Sequence, residues 1–388
     1  MSDLPDPAHP SADPIVPPYD ATGFGAVLPG AARSLGVDVG LPAVPLPAAR
    51  RVCVVLIDGL GRRLLEDETA QAPFLASLLP SGRTLVAGCP STTATSLGSL
   101  GTGLPPGRHG LVGYEVMDPD RGVLLNELIW DPAIDPIAWQ PHPTVFQALI
   151  DRAISVTQIG NPEFLGSGLT RAALRGGDFI GAKGLPARVD AVVGLLGQPG
   201  PAMIYLYWGE VDTAGHLHGS RSAQWREALR HTDRELARLA ARLPPGTLLL
   251  ITADHGMVDV PHADRLDLAE RADLQAGITV LGGEGRFAQI YCDPGSGRAG
   301  AAAVAGRFTD AVGDRAWVLT RDEAITAGWF GPVDDRVRRR IGDVVVAGIG
   351  SFAMVDSRTA RRQVLALIGQ HGSLTAAEQL VPLLVHAE

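Results

Sequence analysis

The sequence predicts an α/β protein, a doubly wound core with a small inserted α/β lobe, and two observations carry that expectation. Short, largely apolar runs rich in β-branched residues recur at 52–57, 155–159, 203–207 and 247–252. Runs of that length and character read as strands buried on both faces, as in a parallel sheet. Between them lie helical stretches at 73–79, 143–153 and 222–243, and strands alternating with helices build a doubly wound architecture. Residues 266–350 carry a further strand at 286–291, an Ala-rich helix at 301–312 and a second βα-like stretch, which read as a smaller lobe. The main core is then 41–265, and 351–388 returns to it. Residues 1–40, rich in proline and aspartate at their start, read as a loose leader.

At 388 residues, 46% hydrophobic and 19% charged, with 47 glycines and 30 prolines, the chain suits a compact globular enzyme with many loops and excludes a fibrous or disordered protein. A net charge of −9 argues against a nucleic-acid scaffold. The one dense basic run, at 336–340, follows Asp334 and Asp335 and reads as a solvated helix face. Cys53, Cys89 and Cys292 are too few and too scattered for a disulfide framework, and Cys53 and Cys292 read as small buried hydrophobes. The N-terminal residues lack the basic start and apolar stretch of a signal peptide. No segment approaches the roughly 18 apolar residues of a membrane span. The expectation is a cytoplasmic protein without membrane contact.

The chemistry gathers where strands end. The run 52–57 leads into Asp58-Gly59, 203–207 is followed by Glu210, Asp212 and His216, and 247–252 ends in Ala253-Asp254-His255-Gly256. In open α/β sheets the functional crevice lies beyond the carboxyl ends of the strands. Acidic groups delivered there together repel one another unless something cationic sits between them, and a divalent metal is the economical answer. Asp212 and His216 are four apart, so one helical turn puts both on one face as a chelating pair, although alone they also fit a helix-start aspartate beside an unrelated surface histidine. Mixed imidazole and carboxylate donors suit zinc, with manganese or iron as alternatives.

The hydroxyl-rich run Ser91-Thr92-Thr93-Ala94-Thr95-Ser96 opens a stretch of small residues. Its bland reading is helix capping. A hydroxyl at a helix N-terminus is also placed to meet a phosphate, because free N–H groups point at the anion. A threonine nucleophile would need activation, for which metal coordination is the natural means.

Taken together, these segments resemble the nucleotide pyrophosphatase/phosphodiesterase family of the alkaline phosphatase superfamily, over Asp58 to His371. The matching pieces are Val-Leu-Ile-Asp-Gly-Leu-Gly around Asp58, Thr102-Gly103-Leu104-Pro105-Pro106-Gly107-Arg108-His109-Gly110, the pair Asp212 and His216, Asp254-His255-Gly256-Met257, and His371-Gly372. The resemblance implies an alkaline-phosphatase-like core and two divalent metals, one held by Asp212, His216 and His371, the other by Asp58, Asp254, His255 and the Thr93 oxygen. Thr93 is the nucleophile by the family's spacing, with Thr92 the runner-up. The implied reaction passes through a phosphothreonine intermediate on a small phosphate-ester substrate such as a nucleotide, not a nucleic-acid polymer.

The chain departs from the family's diesterases at two places. Their phosphate-binding Asn becomes Tyr114, whose phenol can still donate to the substrate, with Asn126 a substitute whose plainer role is in its loop. The aromatic residue after the nucleophile becomes Ala94, which would open a small pocket for the second ester group. His109 is expected to hold the loop after the nucleophile helix, while His142, His218 and His262 carry no partner pattern. A phosphomonoesterase or phosphonate hydrolase of the superfamily remains open, with an arginine such as Arg286 folding over the site as its mark. A sulfatase lacks its Cys-x-Pro-x-Arg signature here. A non-catalytic phosphate binder would have no use for Thr93.

Overall fold

The computed structural model describes residues 13–387. The apolar runs become β1 (Arg51–Ile57), β2 (Arg83–Val86), β3 (Ser155–Gly160), β4 (Asp178–Gly181), β5 (Ala202–Trp208) and β6 (Thr247–Thr252). The chain then leaves this sheet for β7 (Ile278–Glu284), β8 (Phe287–Cys292), β9 (Ala316–Thr320) and β10 (Val344–Gly348), and returns as β11 (Leu380–Ala387). The central sheet runs β2-β11-β6-β1-β5-β3-β4. β1 is parallel to both neighbours, β5 and β6, with Ile57 beside Trp208 and Leu56 beside Thr252. That register makes the three strands end at one level, so the residues that follow them emerge at one edge. β11 is antiparallel to β6 and β2.

Helices cover both faces. The stretch between β5 and β6 holds two, α3 (Glu210–His218) and α4 (Ala223–Ala240), after α1 (Val27–Ser34) and α2 (Thr93–Thr102) earlier in the chain. α4 buries Trp225, Leu229, Leu236 and Leu239, one stripe at helical spacing, and Ser222 caps it by accepting from the Trp225 N–H at 3.1 Å. α1 corrects the expectation of a loose leader across 1–40. Val27, Leu28 and Ala31 are fully buried, and Gly30 packs so close to Val44 that a Cβ would lie 2.5 Å from its side chain. The proline content conceals a two-turn helix whose apolar face belongs to the core. The rest of that expectation, over residues 1–12, lies outside the described residues.

The second sheet, β7-β8-β10-β9, is antiparallel and has its own apolar cluster, in which Phe308 and Val304 of α5 (Gly297–Val312) meet Ile290 and Val346. A short parallel pair, Arg265–Asp267 with Ala353–Val355, joins the two ends of this segment. Arg286 is not strand but turn: Glu284 pairs with Phe287, leaving Gly285 and Arg286 as a two-residue loop. Its guanidinium is fully buried, donates to Glu378 at 2.7 Å and 3.1 Å and to the Gly348 carbonyl at 2.9 Å, and also bonds the Phe352 carbonyl. It therefore does not fold over the site as a free cation.

The basic run is likewise not simply a solvated face. Arg340 is buried, with its guanidinium 3.4 Å from the centroid of the Trp139 ring and bonds to the Gly110 and Trp139 carbonyls at 2.9 Å and 3.1 Å. Arg336 donates to the Trp139 carbonyl at 3.1 Å, so two of these arginines fasten the loop after α2, and Arg339 is the one left exposed. The three cysteines are free and buried. Among the described residues no helix is long and apolar enough to cross a membrane.

The Arg286–Glu378 pair is fully buried on both sides, so removing one partner strands a charge, at a cost of about 3–5 kcal/mol. Arg286→Met is therefore expected to lower the denaturant midpoint sharply, and adding Glu378→Leu to recover part of the loss. Unfolding curves for the single and double variants check this, and an Arg286→Met protein as stable as the parent would contradict it.

Candidate active site

An acidic residue follows the end of each of the three strands β1, β5 and β6. β1 runs into Asp58, which is buried and receives a hydrogen bond on Oδ2 from the Tyr207 hydroxyl of β5. β6 runs into Asp254 and His255, both fully buried, and the Gly59 N–H donates to Asp254 Oδ1 at 3.2 Å. α3 starts directly after β5 and carries Asp212 and His216 on one face, with His216 Nε2 at 3.2 Å from Asp212 Oδ2. His371 comes from the loop before β11, beside the short pairing of Gly369–Gln370 with Val258–Asp259.

The three histidines share one device. His216 Nδ1 lies 2.7 Å from the Gly369 carbonyl, His255 Nδ1 lies 2.9 Å from the Gly256 carbonyl and His371 Nδ1 lies 3.0 Å from the Ser91 carbonyl. A carbonyl only accepts, so in each case Nδ1 carries the proton and the Nε2 lone pair faces inward. The His255 and His371 rings stack with centroids 3.6 Å apart, and His216 lies 5.2 Å from His371. His255 Nε2 sits 3.3 Å from Asp58 Oδ1 and 3.7 Å from Asp254 Oδ2. Two sets of donor atoms lie within 4.8 Å of one another: Asp212, His216 and His371, and Asp58, Asp212 and His255. Asp212 lies between the two sets, and Asp254 approaches the second through His255.

Asp58 Oδ1, Asp212 Oδ1 and Asp254 Oδ2 are buried and have no hydrogen-bond partner. Such oxygens are costly unless a cation meets them, and imidazole lone pairs aimed at the same space suit a borderline metal. The residues therefore fit divalent ions. Their electrostatics show the crowding. Burial, with Asp58 and Asp212 beside it, pushes the Asp254 carboxyl up to about 8. Burial works against charge on His216, but Asp212 outweighs it and lifts the imidazole to about 9, while Asp212 itself is held well below the usual carboxylate range despite its own burial. His371 is driven the other way, by burial and then by the charges of His255 and His216.

The two threonines separate cleanly. Thr93, the first residue of α2, places Oγ1 3.3 Å from His255 Nε2. Thr92 turns away and donates to Glu284 Oε2 at 3.0 Å. The α2 entry is tied to the surrounding loops: Ser91 Oγ donates to the Ser373 carbonyl at 2.7 Å, and Ser96 Oγ to the Asp254 carbonyl at 2.8 Å. Tyr114 is half-buried at the entry to the hairpin Glu115–Asp118/Val123–Asn126. Burial raises its phenol, an Asn126 hydrogen bond lowers it, and the charges of Glu284 and Arg361 reach it. Asn126 accepts from the Leu128 and Ile129 N–H groups at 3.1 Å and 2.9 Å, so its carbonyl serves the loop. Ala94 is buried in the core cluster. His109 donates from Nε2 to Ser99 Oγ at 3.0 Å and accepts the Leu111 N–H on Nδ1 at 3.1 Å, fixing the loop after α2. His218 and His262 are exposed, and His142 lies 3.7 Å from Asp334. Tyr207 and Glu284 escaped the sequence reading. A phenol one residue before Trp208 at the end of an apolar strand was a usable signal for the first, although Tyr205 shares that strand, whereas Glu284 reaches the site only through the fold of the β7–β8 hairpin.

Residues 52–374 match the family model of type I phosphodiesterase / nucleotide pyrophosphatase. The chain belongs to this family. Human ectonucleotide pyrophosphatase/phosphodiesterase family member 7 is 31% identical over 108 residues, 26% of this chain and 24% of that protein. Venom phosphodiesterase 2 of Crotalus adamanteus is 28% identical over 228 residues, 54% of this chain and 27% of its own length. The chain thus spans about a quarter of the length of these curated relatives. Among solved structures, murine ectonucleotide pyrophosphatase / phosphodiesterase 5 superposes with a TM-score of 0.68 at 18% identity, covering 87% of this chain and 88% of that one. Phosphonoacetate hydrolase from Sinorhizobium meliloti 1021, in complex with phosphonoacetate, gives 0.67 at 22% identity, covering 88% and 91%. At these identities the superpositions establish the alkaline-phosphatase-like fold of this phosphodiesterase-family chain.

Without metal, folded Asp254 keeps its proton up to about pH 8, whereas the unfolded chain releases it above roughly pH 3.9. Its contribution to stability is therefore complete at low pH and is lost as pH rises toward 8. His255, raised well above its ordinary value by Asp254 and Asp58 against the effect of burial, adds to the same slope. His371 opposes the slope only up to about pH 6.5, where unfolded histidines become neutral. The chelated protein should thus melt lower at about pH 8 than at about pH 6.5, and zinc or manganese should raise Tm more at the higher pH. Metal-induced shifts of equal size at both pH values, read by calorimetry, would count against this centre.

Proposed function

We propose that this protein is a two-metal phosphohydrolase that cleaves phosphodiester or pyrophosphate bonds of small substrates, nucleotides among them, through Thr93. The observation that carries the proposal is the placement of the Thr93 hydroxyl, 3.3 Å from His255 Nε2 and inside the cluster of buried carboxylates, while Thr92 points elsewhere. One ion would be held by Asp212, His216 and His371, and the other by Asp58, Asp254, His255 and Thr93, with zinc favoured by the donor set. Bound divalent ions supply positive charge that acidifies the Thr93 hydroxyl and stabilises the attacking and leaving oxygens of an in-line displacement.

The chain's own residues do the rest. Thr93 Oγ1 forms the new bond to phosphorus as the bond to the leaving oxygen breaks, and water then hydrolyses the phosphothreonine. The N-terminus of α2 faces the phosphoryl group with backbone N–H groups, and Tyr114 donates to a phosphate oxygen. Tyr207 orients Asp58 from behind. Three aspartates against two divalent ions leave the site near +1 before threonine ionises, which draws an anion into an acidic protein.

That modest charge favours a singly charged diester over a doubly charged monoester. Enzymes specialised for monoesters generally add cations beyond the metals. Here Arg286 is occupied by Glu378, Glu284 adds a carboxyl beside the nucleophile loop, and the charge of Arg361 is shared with Glu115 as well as Tyr114. Matched aryl diester and monoester substrates should therefore give a higher kcat/KM for the diester. A clear monoester preference would reassign the chain within the superfamily, and aryl phosphonates in the same series test the phosphonate branch.

Thr93→Ala is expected to keep its metal and its fold yet lose turnover by about three orders of magnitude or more, because nothing replaces the covalent step. Thr92→Ala should retain most of that turnover. Chelation should abolish hydrolysis, and zinc or manganese should restore it. A dead Thr92→Ala beside an active Thr93→Ala would move the nucleophile by one residue.

A further inference from the structure

A threonine at a helix N-cap ordinarily turns its hydroxyl back to accept from a backbone N–H two or three residues on. Thr144, Ser222 and Thr320 do so at the starts of their helices. Thr92 has the extended backbone of an N-cap, φ −135° and ψ 150°, yet caps nothing. Its hydroxyl is instead turned toward Glu284, donating to Oε2 at 3.0 Å without reaching a helix N–H.

Glu284 is held firmly enough to impose that choice. It ends β7 at the two-residue turn whose Arg286 is clamped to Glu378. Its carboxylate lies 3.8 Å from His371 Nδ1, and it packs on Gly372, where a Cβ would come within 2.9 Å of the Glu284 Cδ. Gly372 has φ +131°, a conformation that side chains rarely adopt. Glu284 Oε1 is buried without a partner, so the carboxyl has no competing bond that would draw it off Thr92.

The first N–H groups of a helix have no partner within it and carry its positive end. A capping hydroxyl would engage one of them and oppose an incoming anion. We propose that Glu284 is a positioning residue that, by taking the Thr92 hydroxyl, keeps the N-terminus of α2 uncapped for the phosphoryl group transferred at Thr93. This rests on the phosphohydrolase reading above and adds to it a role for a residue of the second sheet.

The test measures binding of inorganic phosphate to the metal-loaded full chain by calorimetry, alongside KM and kcat for an aryl diester. Glu284→Ala frees Thr92 to cap α2, and phosphate binding should weaken about five- to tenfold, the effect of displacing one N-cap hydrogen bond. KM should rise more than kcat falls. Adding Thr92→Val, which leaves no hydroxyl to cap with, should bring phosphate binding back to within about twofold of the parent. Glu284→Gln keeps an acceptor for Thr92 and should stay near the parent, which also covers the case of a poorly folded alanine variant. Unchanged binding in Glu284→Ala, or a loss that Thr92→Val does not relieve, overturns the proposal, as does a metal-loaded parent that binds no phosphate. A parent that binds phosphate but hydrolyses no ester would sink the hydrolase reading alone, because the binding cycle is read without turnover.

Discussion

Three aspartates forced together at one edge of a parallel sheet are the constraint on which this molecule is built. β1, β5 and β6 lie side by side in register and end at one level, so Asp58, Asp212 and Asp254 are delivered to one small volume by the sheet itself. Carboxylates so close and so buried repel one another and lack water to solvate them. Much of the surrounding architecture answers that problem. Tyr207 and the Gly59 N–H each satisfy one oxygen, and three imidazoles turn their Nε2 atoms inward because backbone carbonyls hold their Nδ1 protons. The oxygens still unsatisfied are those that a divalent ion would take.

The second sheet is more than an appendage to this arrangement. One two-residue turn brings Glu284 to Thr92 and buries Arg286 against Glu378. Glu378 in turn accepts from the Ser373 N–H at 3.0 Å, and its carbonyl accepts from the Gly256 N–H at 2.8 Å. The same glutamate thus reaches the loop that follows His371 and the loop that follows His255. A rigid ion pair at that junction ties histidines from distant parts of the sequence to a common frame. The cost of burying the pair is offset by carbonyls and amides that leave almost none of its donors idle.

Much of this was legible in the sequence, for a physical reason. Strands buried on both faces must be continuously apolar, so a carboxylate immediately after such a run stands out, as Asp58 and Asp254 do. The four-residue spacing of Asp212 and His216 declares a shared helix face without any knowledge of tertiary structure. What the sequence hid depends on partners far away in the chain. Arg340 looks like a solvated cation until Trp139 and two carbonyls are seen to surround it. Glu284 and Arg286 sit in an unremarkable hairpin turn, and their roles exist only where that turn meets Thr92 and Glu378. The helix α1 was masked by the prolines around it, since composition averages over a segment whose eight residues are nearly all buried.

In the proposed reaction Thr93 is the group that carries the phosphoryl in mid-reaction. Acid quench of the metal-loaded protein during turnover of a diester, followed by peptide mass spectrometry, reads that directly. The peptide spanning α2 should carry the mass of one phosphoryl group, located at Thr93 by fragmentation. A label on Thr92 or on any other residue, or active protein that accumulates no label when hydrolysis of the intermediate is made rate-limiting, would contradict it.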